Sequence, residues 1–456
     1  MPKMPNCLSF LSSLTMAFRL FSAAFSASVL TSSFAIAQPS PLEITNVFYL
    51  DSYSKSMVRA ERITIEDGKI TSINDPDYAC VACENFDMAG GYVIPGLIDI
   101  HQHLDKGGFA KESTTARIAL LRRNLYWGIT SVFNPSVPAD VMNMVKGAVA
   151  NNPLNYPRFL SAGRHIGPTG GWGDIKTSTV GGIKTAIDNQ IEAGAVIIKL
   201  SFDNKSWLTP NPLPLFSEAA LRSAIDYAHK RERRVFVHAT NPEQAKTAIR
   251  AGADGLMSGL VAGGIDDELL TLMRRNRTAY VATLTATAVI VDVQNAVTRQ
   301  QQYDPQKLHG TGLYQSLNSP IMAQNWRDWW PLSTNAARHM TVLERNTKKI
   351  IDAGIMVGIG TDAGTPAVIL GASLADEMAR HVEIGVSPID TIIMATQANA
   401  RLLFLDRVTG TVDVGKDADL VFMEADPSNS IDALKTIQYV MRGGRLYDRR
   451  EFENTR

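Results

Sequence analysis

VIPGLIDIHQH, residues 93–103, is the stretch from which the fold is read. Its apolar residues run on without polar alternation, the pattern of a parallel strand covered on both faces. It closes on Asp99, His101 and His103. In a strand, residues two apart face the same way, so both imidazoles can reach one ion. Outward from this stretch the same rhythm repeats seven times, as ITSVFN (129–134), RFLSAG (158–163), VIIKLSF (196–202), RVFVHA (234–239), GLMSGLV (255–261), AYVATLT (279–285) and MVGIGTD (356–362). The intervals between these runs hold helical patterns. One is announced by Ser387-Pro388 with Asp390, an N-cap, a proline at the first helical position and an acidic first turn. Residues Ile389, Ile392, Ile393, Thr396, Ala400 and Leu403 then recur near a helical period. Eight strand–helix units predict an α/β chain built as a (β/α)8 barrel over residues 93–403.

The flanks read differently. Residues 42–92 contain ITNVFYLD, ERITIEDG and KITSIND, alternating apolar and polar, with Asp67-Gly68 marking a hairpin. Strand signals return over residues 404–448 in GTVDVGKDADLVFMEADP and TIQYVMRGGRLYD. These two ends are expected to pair as a small β-sandwich beside the barrel. Residues 286–345 are too long for a simple connection. Their Tyr303, Tyr314, Trp326, Trp329 and Trp330 suit either a lid or pocket wall, or an insertion packing its own aromatics.

The 456 residues carry 45 Lys+Arg against 45 Asp+Glu, a formal charge of zero. That argues against a nucleic-acid binder or a polybasic membrane-surface protein held by bulk charge. Hydrophobic content of 45% and charged content of 20% describe an ordinary globular chain. The first 37 residues stand apart. Lys3 and Arg19 are the only charges before Glu43, LFSAAFSASVLTSSF fills 20–34, and Ala35-Ile36-Ala37 forms an A-x-A site. This is the layout of a secretory signal peptide cleaved after Ala37, and its core is too short and Ser-rich for a stable membrane span. Cleavage removes Cys7 and both charges, leaving 43 Lys+Arg against 45 Asp+Glu and a periplasmic or secreted protein. Cys80 and Cys83 remain, as a local disulfide or as two surface thiols.

Active sites of such barrels gather at the C-terminal ends of the strands. There the sequence places His101 and His103 on strand one, Lys199 on strand four, His238 on strand five and Asp362 on strand eight. Each has a bland reading alone, as a packed histidine or a salt-bridge partner; their convergence on one barrel mouth favours a metal site. His229, His309, His339 and His381 show no ligand spacing.

At these residues the sequence resembles the amidohydrolase superfamily, in particular its imidazolonepropionase-like and prolidase-like members. The matches are VIPGLIDIHQH, IIKLS, VFVHA, GIGTDAG, the helix EMARHVEIGVSPIDTIIMATQANARLL and the tail GTVDVGKDADLVFMEADP. The resemblance implies one or two divalent metals, zinc by preference. His101, His103 and Asp362 would hold the buried ion and His238 the second. Lys199, carboxylated by carbon dioxide, would bridge them. It further implies hydrolysis of an amide, cyclic amide or dipeptide-like C–N bond of a small molecule by a metal-activated hydroxide, with Asp362 as general base. Two places depart from the family pattern. Ser258 stands where a second outer-metal histidine is usual, and Trp172 stands in GPTGGWGD where Gly-Gly-His is frequent. His165, just before that loop, and Trp172 are candidates for substrate binding. With Ser258 a poor ligand, a mononuclear site on His101, His103, His238 and Asp362, a weak binuclear site, and a ligand-binding protein without catalysis all stay open. So does a lactone or ester hydrolase on the same centre. A homo-oligomer is possible.

Overall fold

The structure is a computed structural model that describes residues 39–106, 113–308, 314–315, 317, 319 and 336–453. The leader, His309, Trp326, Trp329 and Trp330 lie outside the described residues. The strands in chain order are β1 (Leu42–Asp51), β2 (Ser56–Glu66), β3 (Lys69–Ile73), β4 (Glu84–Pro95), β5 (Leu97–Asp99), β6 (Ile129–Asn134), β7 (Arg158–Ser161), β8 (Ile166–Gly167) and β9 (Ile175–Lys176). They continue as β10 (Ile197–Ser201), β11 (Arg234–His238), β12 (Gly255–Met257), β13 (Ala279–Val281), β14 (Val357–Gly358), β15 (Leu420–Met423), β16 (Ile437–Arg442) and β17 (Arg445–Asp448).

Eight of these strands, β5, β6, β7 and β10 to β14, form the barrel, and the ladders among them are parallel. Two seams lack a continuous ladder. Val196 N donates to Ser161 O at 2.9 Å across the first, between β7 and β10. Across the second, Ile100 N donates to Ile359 O at 3.2 Å, and the Asn399 amide donates to Ile98 O at 2.7 Å and Ile359 O at 2.8 Å. Alternation sorts the strand residues. Ile98, Phe133, Ile197, Phe236, Met257, Ala279 and Val281 pack together as one buried cluster inside the barrel. Ile198, Leu200, Val235, Val237, Leu256 and Tyr280 pack outward, against helix residues Leu221, Ile225, Ile249, Leu269 and Met273. Lys199 therefore shares the face of Ile197, and His238 that of Phe236, which aims both into the barrel.

The stretch expected to be strand one is two strands. Val93–Pro95 belong to β4, which lies between β1 and β15, while Leu97–Asp99 are β5, paired with β6. The exchange of partners happens at Gly96, where Gly96 N donates to Asp419 O at 2.8 Å and Leu97 N donates to Gly128 O at 2.9 Å. The expected small β-domain contains both chain ends. It is the expected small β-sandwich, built from one continuous seven-stranded sheet in the order β17-β16-β15-β4-β1-β2-β3. The sheet curls back on itself, for Ile70 N donates to Lys416 O at 2.9 Å and Ala418 N to Gly68 O at 2.8 Å. Ile44, Ile63, Ile70, Val93, Leu420 and Phe422 fill the fold so made.

The Asp67-Gly68 hairpin is present, with φ of 51° and 75°, both in the left-handed region that such a turn requires. The helix after Ser387 runs as Pro388–Ile393, one π turn Met394–Ala398, and Asn399–Leu402, capped by Ser387. Tyr303 and Tyr314 pack in the main core rather than against the mouth; their hydroxyls donate to Asp432 at 3.0 Å and Asp304 at 2.6 Å. Cys80 and Cys83 form a disulfide. Among the described residues no helix is long and apolar enough to cross a membrane.

Candidate active site

Three predicted ligands meet at the C-terminal end of the barrel. His101 Nε2 lies 3.3 Å from Asp362 Oδ1, and His103 Nε2 lies 3.0 Å from the same oxygen. Among the described residues this is the one group of three or more His, Cys, Asp or Glu side chains arranged to hold a metal ion. The donor set fits a divalent ion. Two ligands at ~2.0–2.1 Å from one centre with tetrahedral spacing stand about 3.3 Å apart, close to the separations seen. Ser136 O sits 3.3 Å from His103 Nδ1, which holds the proton there and leaves Nε2 free to ligate.

Local sequence explains the convergence. Asp99, fully buried, accepts from His101 N at 3.0 Å, Thr361 N at 3.2 Å, Thr361 Oγ1 at 2.8 Å and Gln102 Nε2 at 3.2 Å. It ties the His-x-His segment to the Thr361-Asp362 segment. Burial pushes the Asp99 carboxyl up to about 6 against those bonds. The glycines of GIGTDAG make the approach possible. A Cβ on Gly360 would lie 2.7 Å from His101 Cβ, and one on Gly364, at φ +91°, would lie 1.9 Å from His103 O. Asp362 itself adopts φ 60°, an uncommon backbone conformation fixed by Asp362 N donating to His101 O at 2.8 Å. Burial would raise its carboxyl, but the adjoining His101 and His103 outweigh this and hold it well below the usual carboxylate range.

Lys199 is buried in the same barrel, its Nζ donating to Met257 O at 2.8 Å. Burial pushes its amine well below the ordinary value, toward the neutral form that adds carbon dioxide. His238 is not part of the three-ligand group. Its Nδ1 meets Ser258 Oγ, while its Nε2 lies 2.6 Å from Lys205 Nζ and 3.0 Å from Asp203 Oδ2. His238, weighed from the sequence as a further ligand, stands apart from His101, His103 and Asp362 in this structure. The reason is local competition, because both His238 nitrogens already have partners in the chain.

His165 and Trp172 stand at the mouth, ring centroids 6.1 Å apart, with Trp172 6.4 Å from His238. His165 Nδ1 lies 2.9 Å from Asp174 Oδ2, and Ser136 Oγ bonds the same carboxylate. Burial keeps His165 neutral, its pKa falling to about 4, and its buried Nε2 has no partner. His229 bonds Asp254 on an exposed helix face, and His339 and His381 bond the carbonyls of Val261 and Glu377.

Asp203, Lys205 and Asp174 escaped the sequence reading. One signal was available for Asp203. With Lys199 and Ser201 it continues the inward alternation of VIIKLSFD past the end of β10. Lys205 and Asp174 lie in loops with no periodicity to point at them.

Comparison with known proteins places these residues in context. Residues 92–447 match the Amidohydrolase family. An uncharacterized protein of Mycobacterium tuberculosis (strain ATCC 25618 / H37Rv) is 25% identical over 395 residues, 85% of this chain and 92% of that protein. The crystal structure of a Xaa-Pro dipeptidase with bound methionine in the active site is 22% identical, with a TM-score of 0.73 over 90% of this chain and all of that one. Molinate hydrolase is 18% identical, with a TM-score of 0.72 over 91% of this chain and 96% of its own.

Proposed function

The chain belongs to the amidohydrolase family, and on that premise we propose that it is an exported enzyme that hydrolyses a C–N bond of a small amide, cyclic amide or dipeptide-like substrate. The metal dependence is that of the family. The observation carrying the reading is the convergence of His101 Nε2, His103 Nε2 and Asp362 Oδ1 within reach of one ion. A zinc ion held there would make a water nucleophilic at neutral pH and draw electron density from a carbonyl oxygen.

The chain's own groups supply the rest. His101 and His103 would hold the ion, and Ser136 O fixes the His103 tautomer. Asp362, kept ionised by its two imidazole neighbours, takes the proton from the attacking water and returns it to the leaving nitrogen. Lys199, as a carbamate, would add oxygen donors to the same site. Its burial favours the neutral amine that this modification needs. An intact-mass measurement under native conditions tests it by the mass of one bound carbon dioxide.

His165 is the substrate-positioning group in this reading. With its Nδ1 proton donated to Asp174, Nε2 is an acceptor for a substrate N–H. His165→Leu is expected to raise KM roughly tenfold, the worth of about one hydrogen bond, with a smaller change in kcat. An unchanged KM removes His165 from the site.

Dipeptide-like compounds lead the substrate classes because the Xaa-Pro dipeptidase shares the fold over most of both chains. Export is supported by the leader composition, and the Cys80–Cys83 disulfide suits an oxidising compartment. The test is an activity screen of the zinc-loaded protein on dipeptides, N-acyl amino acids, cyclic amides and lactones. Turnover of an amide class, abolished by a chelator and restored by zinc, is the expected result. Turnover of lactones alone overturns the substrate class.

A further inference from the structure

His238 is surrounded in a way that serves a cation other than a metal. Lys205 Nζ lies 2.6 Å from His238 Nε2, 3.3 Å from Asp203 Oδ2 and 4.6 Å from the centroid of the Trp172 ring. An imidazole lone pair, a carboxylate oxygen and an indole face therefore surround one ammonium. The Lys205 side chain is 12% exposed and that of Asp203 1%. Taking an ammonium this far from water is costly unless it is paired, and these partners offset the cost.

The surroundings are built rather than incidental. Asp203 is fixed by Thr240 Oγ1 at 2.9 Å and by Lys205 N, which donates to its other oxygen at 2.8 Å. Lys205 holds a left-handed backbone, φ 56°, that a non-glycine residue seldom adopts. The Lys205 ammonium sits between two acceptors, His238 Nε2 and Asp203 Oδ2, which lie 3.0 Å apart with no ring proton between them in the Nδ1–H tautomer. Lys205 donates into Nε2, which puts the His238 proton on Nδ1. That proton goes to Ser258 Oγ, and Ser258 in turn donates to Met257 O. In this arrangement His238 has no lone pair left for a metal, and Ser258 acts as the acceptor that fixes the tautomer.

We propose that the Lys205 ammonium is the second cation of this active site. It stands where an outer metal would need His238, so the enzyme works with one ion at His101, His103 and Asp362. Of the three N–H groups on Nζ, His238 and Asp203 take two. The third is left for a carbonyl or carboxylate oxygen of the substrate, beside Trp172, which is 43% exposed. The assignment rests on the hydrolase reading above and adds to it how the acyl oxygen is held.

Metal content and kinetics of the full chain, purified with zinc supplied, test it. The wild type should hold about one zinc per chain. Ser258→His alone should stay at one, because Lys205 still occupies Nε2. The double variant Lys205→Met with Ser258→His should rise toward two. Lys205→Met alone should keep its single zinc and lose about a hundredfold in kcat/KM, as expected when one donor to an acyl oxygen is removed, and Lys205→Arg should recover part of the loss. Two zinc ions in the wild type overturn the assignment and leave the hydrolase reading standing, whereas no zinc at all overturns both. A folded double variant that stays at one overturns the role of Lys205 in excluding the second metal. If the double variant does not fold, unchanged kcat/KM in Lys205→Met overturns the proposal by itself.

Discussion

Asp362→Asn is expected to lower kcat/KM by about a thousandfold on any substrate the wild type cleaves, with little change in thermal stability. Proton transfer by one positioned carboxylate is worth ~10²–10⁴ in rate. The loss here should be at least in the middle of that range, because the same oxygen also faces both imidazole Nε2 atoms. Asparagine keeps the shape and suits the left-handed backbone at this position, φ 60°, so the main-chain bond to His101 O is retained. What is lost is the negative charge and the basic oxygen. Zinc affinity should fall with the activity, since a neutral amide is a weak ligand for a hard or borderline cation. Single-turnover kinetics at saturating zinc separate the two losses. Activity within tenfold of wild type under that condition would mean that another group carries the proton.

Asp419→Ala is expected to cost about 3–5 kcal/mol of stability, the range for removing one partner from a buried ion pair. The Asp419 side chain is fully buried where the β-domain meets the barrel. One oxygen accepts from Arg442 at 3.1 Å and from Gly443 N at 2.9 Å. The other accepts from Arg158, at the start of β7, and from Thr409 Oγ1 at 3.0 Å. Removing the carboxylate strips the largely buried Arg442 of its ion pair and leaves Arg158 with Asp417 alone. Burial alone would raise the Asp419 carboxyl, yet Arg158 and Arg442 outweigh it and hold the group below the usual range. The sign follows from a depressed carboxylate. Its stabilisation is present above the unfolded pKa of ~3.9 and lost as pH falls through the folded value. Urea denaturation at neutral pH should show the full deficit, narrowing toward acid. A deficit under ~1 kcal/mol at pH 7 would show that the β-domain is held to the barrel by other contacts.

The barrel was legible because its strands are buried on both faces, so each announces itself as an apolar run whatever lies beside it. Strand ends were legible for the same reason, and His101, His103 and Asp362 follow from them. His101 and His103, spaced i, i+2, stand just past the end of β5, and Asp362 stands just past the end of β14. Partnership was not legible. Nothing in VIPGLID marks Gly96 as the point where hydrogen bonding passes from β15 to β6, because the deciding acceptor, Asp419 O, is remote in sequence. His238 shows the same limit. Its position at the end of β11 was readable, but its role depends on Asp203 and Lys205, 35 and 33 residues away on another loop. Tyr303 and Tyr314 stayed undecided between a pocket wall and a self-packed insertion, because aromatic composition does not distinguish the two. Their hydroxyl bonds to Asp432 and Asp304 place them in the core.

One catalytic ion is proposed to sit between His101, His103 and Asp362. Anomalous diffraction at the zinc edge from crystals of the zinc-loaded protein addresses it directly. A single strong peak bonded to His101 Nε2, His103 Nε2 and an Asp362 oxygen is the predicted result. No peak there, or a peak on His238 with those three residues unliganded, would contradict the account.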